Sequence, residues 1–267
     1  MTLREAIGQL FILGFEGRVA SQALKAFLRE CHPGGLILFA RNLGSPEELA
    51  ALTATLQAAS PTPLFVAIDQ EGGRVARLGP PFTQWPSPSE VGAFGSVKLT
   101  YALGEAMAKE LLAVGINMNL APVLDVLTNP ENPVMAGRSF GADPKAVAQL
   151  GTAFFRGQRD AGVIAVGKHF PGHGDTVTDS HLALPVVRHD LARLLAVELA
   201  PFVEAIHEGI AALMTAHLLV PALDAEWPAT LSRAILSDLL RDQLGFAGLI
   251  ISDDLLMRGV ADTNPPG

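Results

Sequence analysis

Apolar residues fall in short unbroken runs along this chain, and stretches of helical period separate them. Phe11-Ile12-Leu13-Gly14-Phe15, Gly35 to Phe39 and Leu64 to Ile68 read as the first three strands. Ile116 to Leu120, Val163 to Val166, Ala211 to Met214 and Gly248 to Ile251 continue the series. Each run is apolar along its whole length instead of alternating, as in strands covered on both faces in a parallel sheet. Helices are expected over 3–10, 19–30, 46–58, 98–113, 144–161, 190–208 and 232–243. Ser45-Pro46-Glu47-Glu48 opens its helix with a cap, a proline in the first turn and carboxylates at the positive end of the dipole. Ser232 is the expected cap of the last helix, and His32-Pro33-Gly34 stops the second.

Seven strands in alternation with helices predict an α/β fold, a (β/α)8 barrel of the TIM type. A doubly wound open sheet is the second choice, and no GxGxxG follows the first strand to favour it. No linker divides the chain, so residues 1–267 are expected to form one barrel domain, with the Pro-rich piece Gly79 to Pro88 as a long βα loop. An eighth strand and its helix are not found between Asp253 and Gly267. The last strand–helix unit is therefore expected to be lacking in this chain. Either the sequence is a fragment, or something else closes the two edges this leaves.

Polar residues gather where strands end. Residues 167–181, GKHFPGHGDTVTDSH, read as a loop leaving the fifth strand, with Pro171, Gly172 and Gly174 forbidding a helix through its middle. Asp69-Gln70-Glu71 with Arg74 and Arg77 follow the third strand, and Asp125 with Arg138 follow the fourth. His217 follows the sixth, and Ser252-Asp253-Asp254 the seventh. In a βα barrel these exits share one end and can build one site. An aspartate at a strand end often only caps the next helix. Five polar exits together favour a site.

Bulk composition narrows the partners. A net charge of −8 argues against nucleic acid or an anionic membrane surface. Cys31 is the only cysteine, which excludes an internal disulfide and fits a reducing compartment. No basic-then-apolar leader opens the sequence and no apolar run approaches membrane-spanning length. A cytoplasmic protein, acting as a monomer, is expected, and the net charge says little about a small substrate.

The recurring chemistry is carboxylate, imidazole and arginine. No serine or cysteine sits in a nucleophile elbow, which argues against acyl transfer. Paired carboxylates suit glycoside hydrolysis, and a histidine near neutral pKa can replace the acid of the pair. In an extended Asp179-Ser180-His181 the carboxylate and imidazole share a side, so Asp179 can fix the ring's tautomer and stabilise its cation. The rival reading is a divalent-metal site on His169, His173, Asp175, Asp179 and His181. Their spacing matches no closed zinc pattern, and no metal is assigned.

KHFPGHGDT followed by DSH, IDQEGGRVARL upstream, GRSF between and FAGLIISDDLLM downstream resemble glycoside hydrolase family 3. The likeness is strongest to its single-domain bacterial β-N-acetylglucosaminidases of cell-wall recycling, and it covers nearly the whole chain in order. The resemblance implies a retaining double displacement without a cofactor. It assigns Asp253 as nucleophile and His181, supported by Asp179, as general acid and base. It implies that Asp69, Arg77, Arg138, Lys168 and His169 hold the terminal N-acetylglucosamine of a muropeptide-type glycan. Residue chemistry alone leaves Asp254 open as the nucleophile. His173, between two glycines, reads as shaping its loop, and Glu71, Asp125 and His217 as near the site. Phosphorolysis is a live alternative, because a neutral histidine repels phosphate less than a carboxylate does. An inactive sugar-binding barrel is another. Relatives continue beyond the nucleophile, and this chain stops soon after it.

Overall fold

The computed structural model describes residues 1–180, 182–262 and 264. Strands form where the apolar runs lie: β1 (Ile12–Gly14), β2 (Gly35–Leu38) and β3 (Phe65–Ile68). A hairpin, β4 (Gln70–Gly72) and β5 (Val75–Ala76), follows β3 directly. Then come β6 (Met118–Asn119), β7 (Ile164–Phe170), β8 (Ala212–Thr215) and β9 (Leu249–Ser252). The hairpin stands apart, and the other strands make one seven-stranded sheet in the order β1-β2-β3-β6-β7-β8-β9. Every pairing in that sheet is parallel, with registers such as Leu38 opposite Ile68 and Thr215 opposite Ser252.

The sheet curls. One apolar cluster draws Ile12, Ile37, Ala67, Met118, Val166, Met214 and Ile251, so each strand of the sheet contributes to it and no helix does. First and last strands can share a cluster only if the sheet bends round to face itself, as a barrel does. The alternate residues, among them Leu36, Val66 and Leu213, pack outward against the helices. The architecture is thus the expected TIM-barrel type, α/β with seven strands among the described residues. β1 and β9 are its open edges, and Leu249 on β9 is 40% exposed.

The helices match the expected caps. Ser45 accepts from the Glu48 N–H and Glu48 returns a bond to the Ser45 N–H, with Pro46 in the first turn of Pro46–Ala59. Ser232 Oγ accepts from the Ile235 N–H at 3.1 Å, although the helix behind it, Ala234–Gln243, has π-helical winding. Three expectations need correction. The expected helix 190–208 forms as two pieces, Leu191–Ala196 and Ala200–His207. Pro201 causes the break, since it has no N–H to donate back to Val197 and its ring excludes that carbonyl. The break turns Glu198 into the interior, where it is 1% exposed. The hairpin after β3 was not expected, although Gly72 and Gly73, both at positive φ, make its turn. Finally, β7 runs to Phe170, so Lys168 and His169 are strand residues and not loop residues. Lys168 bridges to Val123, and Phe170 pairs with Thr215.

Candidate active site

The residues at the carboxyl ends of the strands do meet. Lys168, buried in β7, donates from Nζ to Asp69 Oδ1 at 2.8 Å and lies 2.7 Å from Glu71 Oε1. Arg138, from the long loop after β6, grips Glu71 in a fork, Nε to Oε2 at 2.9 Å and Nη2 to Oε1 at 2.7 Å. Arg77, just past the hairpin, reaches Asp69 Oδ2 with Nη2 at 3.3 Å. The hairpin explains this geometry. Gln70 Oε1 accepts from the N–H groups of Arg77 and Leu78, which folds Arg77 back beside Asp69.

A buried lysine survives as a cation only when paired. Burial works against the charge of Lys168, but Asp69 and Glu71 outweigh it and raise its pKa. The converse holds for the acids. Burial opposes ionisation of Asp69, yet Lys168 and Arg77 bring it down to about 2. Glu71 is likewise lowered, with Lys168 and Arg138 prevailing over burial. Arg138 is raised by Glu71 against the same burial penalty. The cluster is a mutually ionised network. Asp69, Arg77 and Arg138 are half-buried at its rim, and Glu71 and Lys168 are buried beneath them.

His169 completes the buried floor. Its Nδ1 lies 2.7 Å from Asp125 Oδ2, and its Nε2 lies 3.4 Å from Arg138 Nη2. A guanidinium can only donate, so Nε2 accepts and the proton sits on Nδ1. Burial first, then Arg138 and Lys168, push the pKa of His169 well below the usual value, which makes it a neutral imidazole. Asp125 is fully buried and also takes the backbone N–H of His169 at 3.3 Å and of His173 at 2.6 Å. Burial raises its carboxyl, opposed by His173 and these N–H groups.

His173 belongs to its loop. Nδ1 is 2.7 Å from Thr176 Oγ1 and Nε2 is 3.2 Å from Ser180 Oγ. Asn132 donates to the His173 carbonyl at 2.8 Å. Burial lowers its pKa. His217 is structural in the same sense, with Nδ1 at 2.9 Å from Thr230 Oγ1 and Nε2 donating to the Asp254 carbonyl at 2.9 Å.

The two aspartates after β9 part company. Asp253 is half-buried, donates its N–H to the Thr215 carbonyl at 3.1 Å, and its charge partly offsets the lowering of the His169 and His173 pKa. Asp254 is exposed and its carboxylate caps the next turn, accepting from the Leu256 N–H at 2.9 Å. Asp253 Oδ1 accepts from the Asp254 N–H at 2.8 Å, and of the two aspartates it is the one whose charge both imidazoles feel.

Asp179 is half-buried, and its carbonyl accepts from the N–H groups of Leu182 at 2.9 Å and Ala183 at 3.1 Å. The expected acid/base His181 lies outside the described residues. For the rival metal reading, His169 and His173 turn to Asp125 and to their own loop, while Asp175 turns to His189. Among the described residues no group of three or more His, Cys, Asp and Glu is arranged to hold a metal ion. No described helix is long and apolar enough to cross a membrane.

The family resemblance implied Asp69, Arg77, Arg138, Lys168 and His169 as sugar-holding residues, and the structure brings these side chains together. It ranked Glu71 and Asp125 as secondary, whereas they are the acids on which Lys168, Arg138 and His169 are mounted. Their signal was position, since each lies within six residues of a strand end.

Comparison with known proteins gives a consistent result. The family described as glycosyl hydrolase family 3 N-terminal domain matches residues 2–266. A β-hexosaminidase of Thiobacillus denitrificans is 44% identical over 234 residues, and one of Alkalilimnicola ehrlichii is 41% identical over 262. The matches cover 85% and 95% of this chain, but 65% and 74% of those proteins. Among solved structures, a family 3 β-N-acetylglucosaminidase from Paenibacillus sp. superposes with TM-score 0.98 at 46% identity, covering 99% of this chain and 51% of that one. NagZ of Neisseria gonorrhoeae, solved with N-trifluoroacetyl-D-glucosamine, gives 0.88 at 38% identity, covering 92% of this chain and 74% of that one. The chain therefore spans roughly half to three quarters of the length of these relatives, and it belongs to glycosyl hydrolase family 3, whose N-terminal domain it carries.

Proposed function

We propose that the chain forms the catalytic barrel of a retaining exo-β-N-acetylglucosaminidase acting on terminal β-linked N-acetylglucosamine of muropeptide-type glycans. The observation that carries this reading is a half-buried carboxylate at the end of β9, Asp253, whose charge is felt by the neutral His169, which in turn meets Arg138 of the Asp69–Lys168–Glu71–Arg138 network. A carboxylate at the same barrel end as a rigid set of hydrogen-bonding groups suits attack on an anomeric carbon. The names of the relatives, β-hexosaminidase and β-N-acetylglucosaminidase, point to the same class.

In this reading Asp253 attacks the anomeric carbon and the glycosidic bond breaks. His181 gives its proton to the leaving oxygen. The glycosyl–Asp253 ester is then opened by water, from which His181 takes a proton back. Asp179 orients the imidazole and stabilises its cation. Asp69, ionised far below neutral pH, accepts from sugar hydroxyls, while Arg77 and Lys168 donate to them. Arg138 and His169 line the floor, where a neutral ring adds no charge near the forming oxocarbenium. No cofactor is required, and the chain acts alone.

The test is release of the chromophore from a β-N-acetylglucosaminide by this chain. Turnover that disappears in a folded Asp253→Asn variant supports the reading. Binding of N-acetylglucosamine without any turnover would replace it with a sugar-binding barrel. Running the assay with and without inorganic phosphate separates hydrolysis from phosphorolysis, and N-acetylglucosamine 1-phosphate among the products would establish the phosphorylase.

A further inference from the structure

Asp175 and His189 are 14 residues apart and meet at 2.6 Å, Oδ2 to Nε2. The sequence between them includes Asp179 and Ser180. The pair therefore closes the neck of a loop. We propose that Asp175 and His189 are positioning residues that hold this loop so that its Asp179-Ser180-His181 segment can act on the leaving group. The proposal rests on the hydrolase reading above and deepens it.

Three observations make the neck a built feature. First, Asp175 is held from both sides. Its Oδ1 accepts from Thr128 Oγ1 of the loop after β6 at 2.7 Å, so the clamp is tied to the scaffold and not only to the loop itself. Second, His189 is mounted on a rigid base. Asp190 caps helix Leu191–Ala196, accepting from the Arg193 N–H at 2.8 Å. Buried Glu198 places Oε1 4.0 Å from His189 Nε2 and takes Arg193 Nη2 at 3.0 Å. His189 thus stands between two carboxylates, with the Arg193 guanidinium behind the inner one. Third, the near side of the loop is pressed onto its supports. A Cβ on Gly172 would come within 2.8 Å of Glu198 Cβ, and one on Gly174 would collide with the Val126 carbonyl. Only glycine permits this approach. Past the neck, the Ser180 carbonyl accepts from the Gly259 N–H at 3.0 Å, and Ser180 Oγ meets His173. Joining the ends of a loop this long removes most of its available conformations. A group held to within a fraction of an ångström can lose about a hundredfold in rate from a displacement of 1 Å.

Leaving groups read this out. Departure of 2,4-dinitrophenolate needs no proton, whereas departure of 4-methoxyphenolate does. The experiment measures kcat/KM, which reports glycosyl transfer to the enzyme, for both aryl β-N-acetylglucosaminides in the full chain, His189→Ala and His189→Gln. Expected is a fall of about 10- to 100-fold for His189→Ala on the 4-methoxyphenyl substrate, in line with partial loss of a general acid. The dinitrophenyl substrate should change less than about threefold, since no proton-transfer term is at stake there. His189→Gln, which keeps a side-chain N–H for Asp175, should recover much of the loss. Thr128→Val, which frees the other oxygen of Asp175 without touching the histidine, should show a weaker form of the same bias and serves if His189→Ala does not fold. An equal loss on both substrates would overturn the proposal and leave the pair as a stability contact. No loss on either would overturn it too. A parent chain that cleaves neither substrate would bring down the hydrolase reading and this one with it, whereas an active parent with unbiased variants would reject the clamp alone.

Discussion

Lys168 and Asp69 are 99 residues apart in the chain and meet at 2.8 Å inside the barrel end. The lysine side chain is 3% exposed and its second partner, Glu71, is 1% exposed. Attraction at this depth is strong, but so is the penalty for a lone charge. The site is therefore held by charges that cannot be removed singly.

Lys168→Met is expected to destabilise the chain by about 3–5 kcal/mol, because it strands two carboxylates with one cation fewer, Asp69 keeping only Arg77 and Glu71 only Arg138. Urea unfolding at neutral pH measures it. The double variant Lys168→Met with Glu71→Gln should recover part of the loss, as it removes one of the stranded charges. A single variant as stable as the parent would mean that water reaches the cluster freely.

Asp69 makes the fold sensitive to acid in a defined window. Its folded pKa of about 2 lies below the ordinary 3.8, so the folded state resists protonation. A depressed carboxyl contributes stability that is complete above the unfolded value and disappears as pH falls toward the folded one. The shift corresponds to about 2 kcal/mol. Asp69→Asn should therefore be less stable than the parent by about that amount at pH 6. The two should converge as pH falls from 4 to 2. A stability gap unchanged over that range would show that Asp69 is not held ionised by Lys168 and Arg77.

The barrel could be read from the chain because strand signals are local. Runs such as Leu64 to Ile68 are apolar throughout, and Ser45-Pro46-Glu47-Glu48 caps a helix within four residues. Lys168 and His169 defied that logic. A polar pair ends a strand by every local rule, and only partners brought by β3, the hairpin and the loop after β6 allow β7 to continue through them. Pro201 was legible as a breaker and deserved more weight than the periodicity around it. For the site, residue types identified the participants, but not the mounting. That Asp125 holds both His169 and His173, or that Asp254 turns away to cap its own turn, depends on contacts no spacing encodes.

His169 is expected to stay a neutral Nδ1–H tautomer from pH 8 down to pH 5. Asp125 takes the Nδ1 proton and the Arg138 guanidinium occupies the other nitrogen, so a second proton has no place to go. Nitrogen-15 shifts of the ring measure this directly. The sign for stability follows. A histidine whose folded pKa is depressed binds fewer protons folded than unfolded, so its contribution weakens as pH falls below the ordinary value near 6.5. Titration of His169 near that ordinary value would refute the buried assignment.

Asp253 and Asp254 offer a clean contrast between neighbours. Asp253 leaves the end of β9, anchored by its N–H to Thr215, with its carboxylate acting on His169 and His173. Asp254 spends its carboxylate on the Leu256 N–H and its carbonyl on His217. Asp253→Asn should then abolish turnover of an aryl β-N-acetylglucosaminide by about 10⁴-fold or more, as expected for removal of a nucleophile. Its unfolding midpoint should match the parent, since no buried partner is lost. Asp254→Asn should cost about 1 kcal/mol or less in stability, because the amide oxygen can still cap, and less than about tenfold in rate. Trapping with a 2-fluoro glycosyl donor, followed by peptide mass analysis, identifies the labelled carboxylate. Label on the peptide at Asp253, absent from Asp253→Asn and retained by Asp254→Asn, is the expected result. Label that persists in Asp253→Asn and vanishes in Asp254→Asn would reverse the roles, and would require the 254–257 turn to open so that its capping carboxylate could swing into the barrel end.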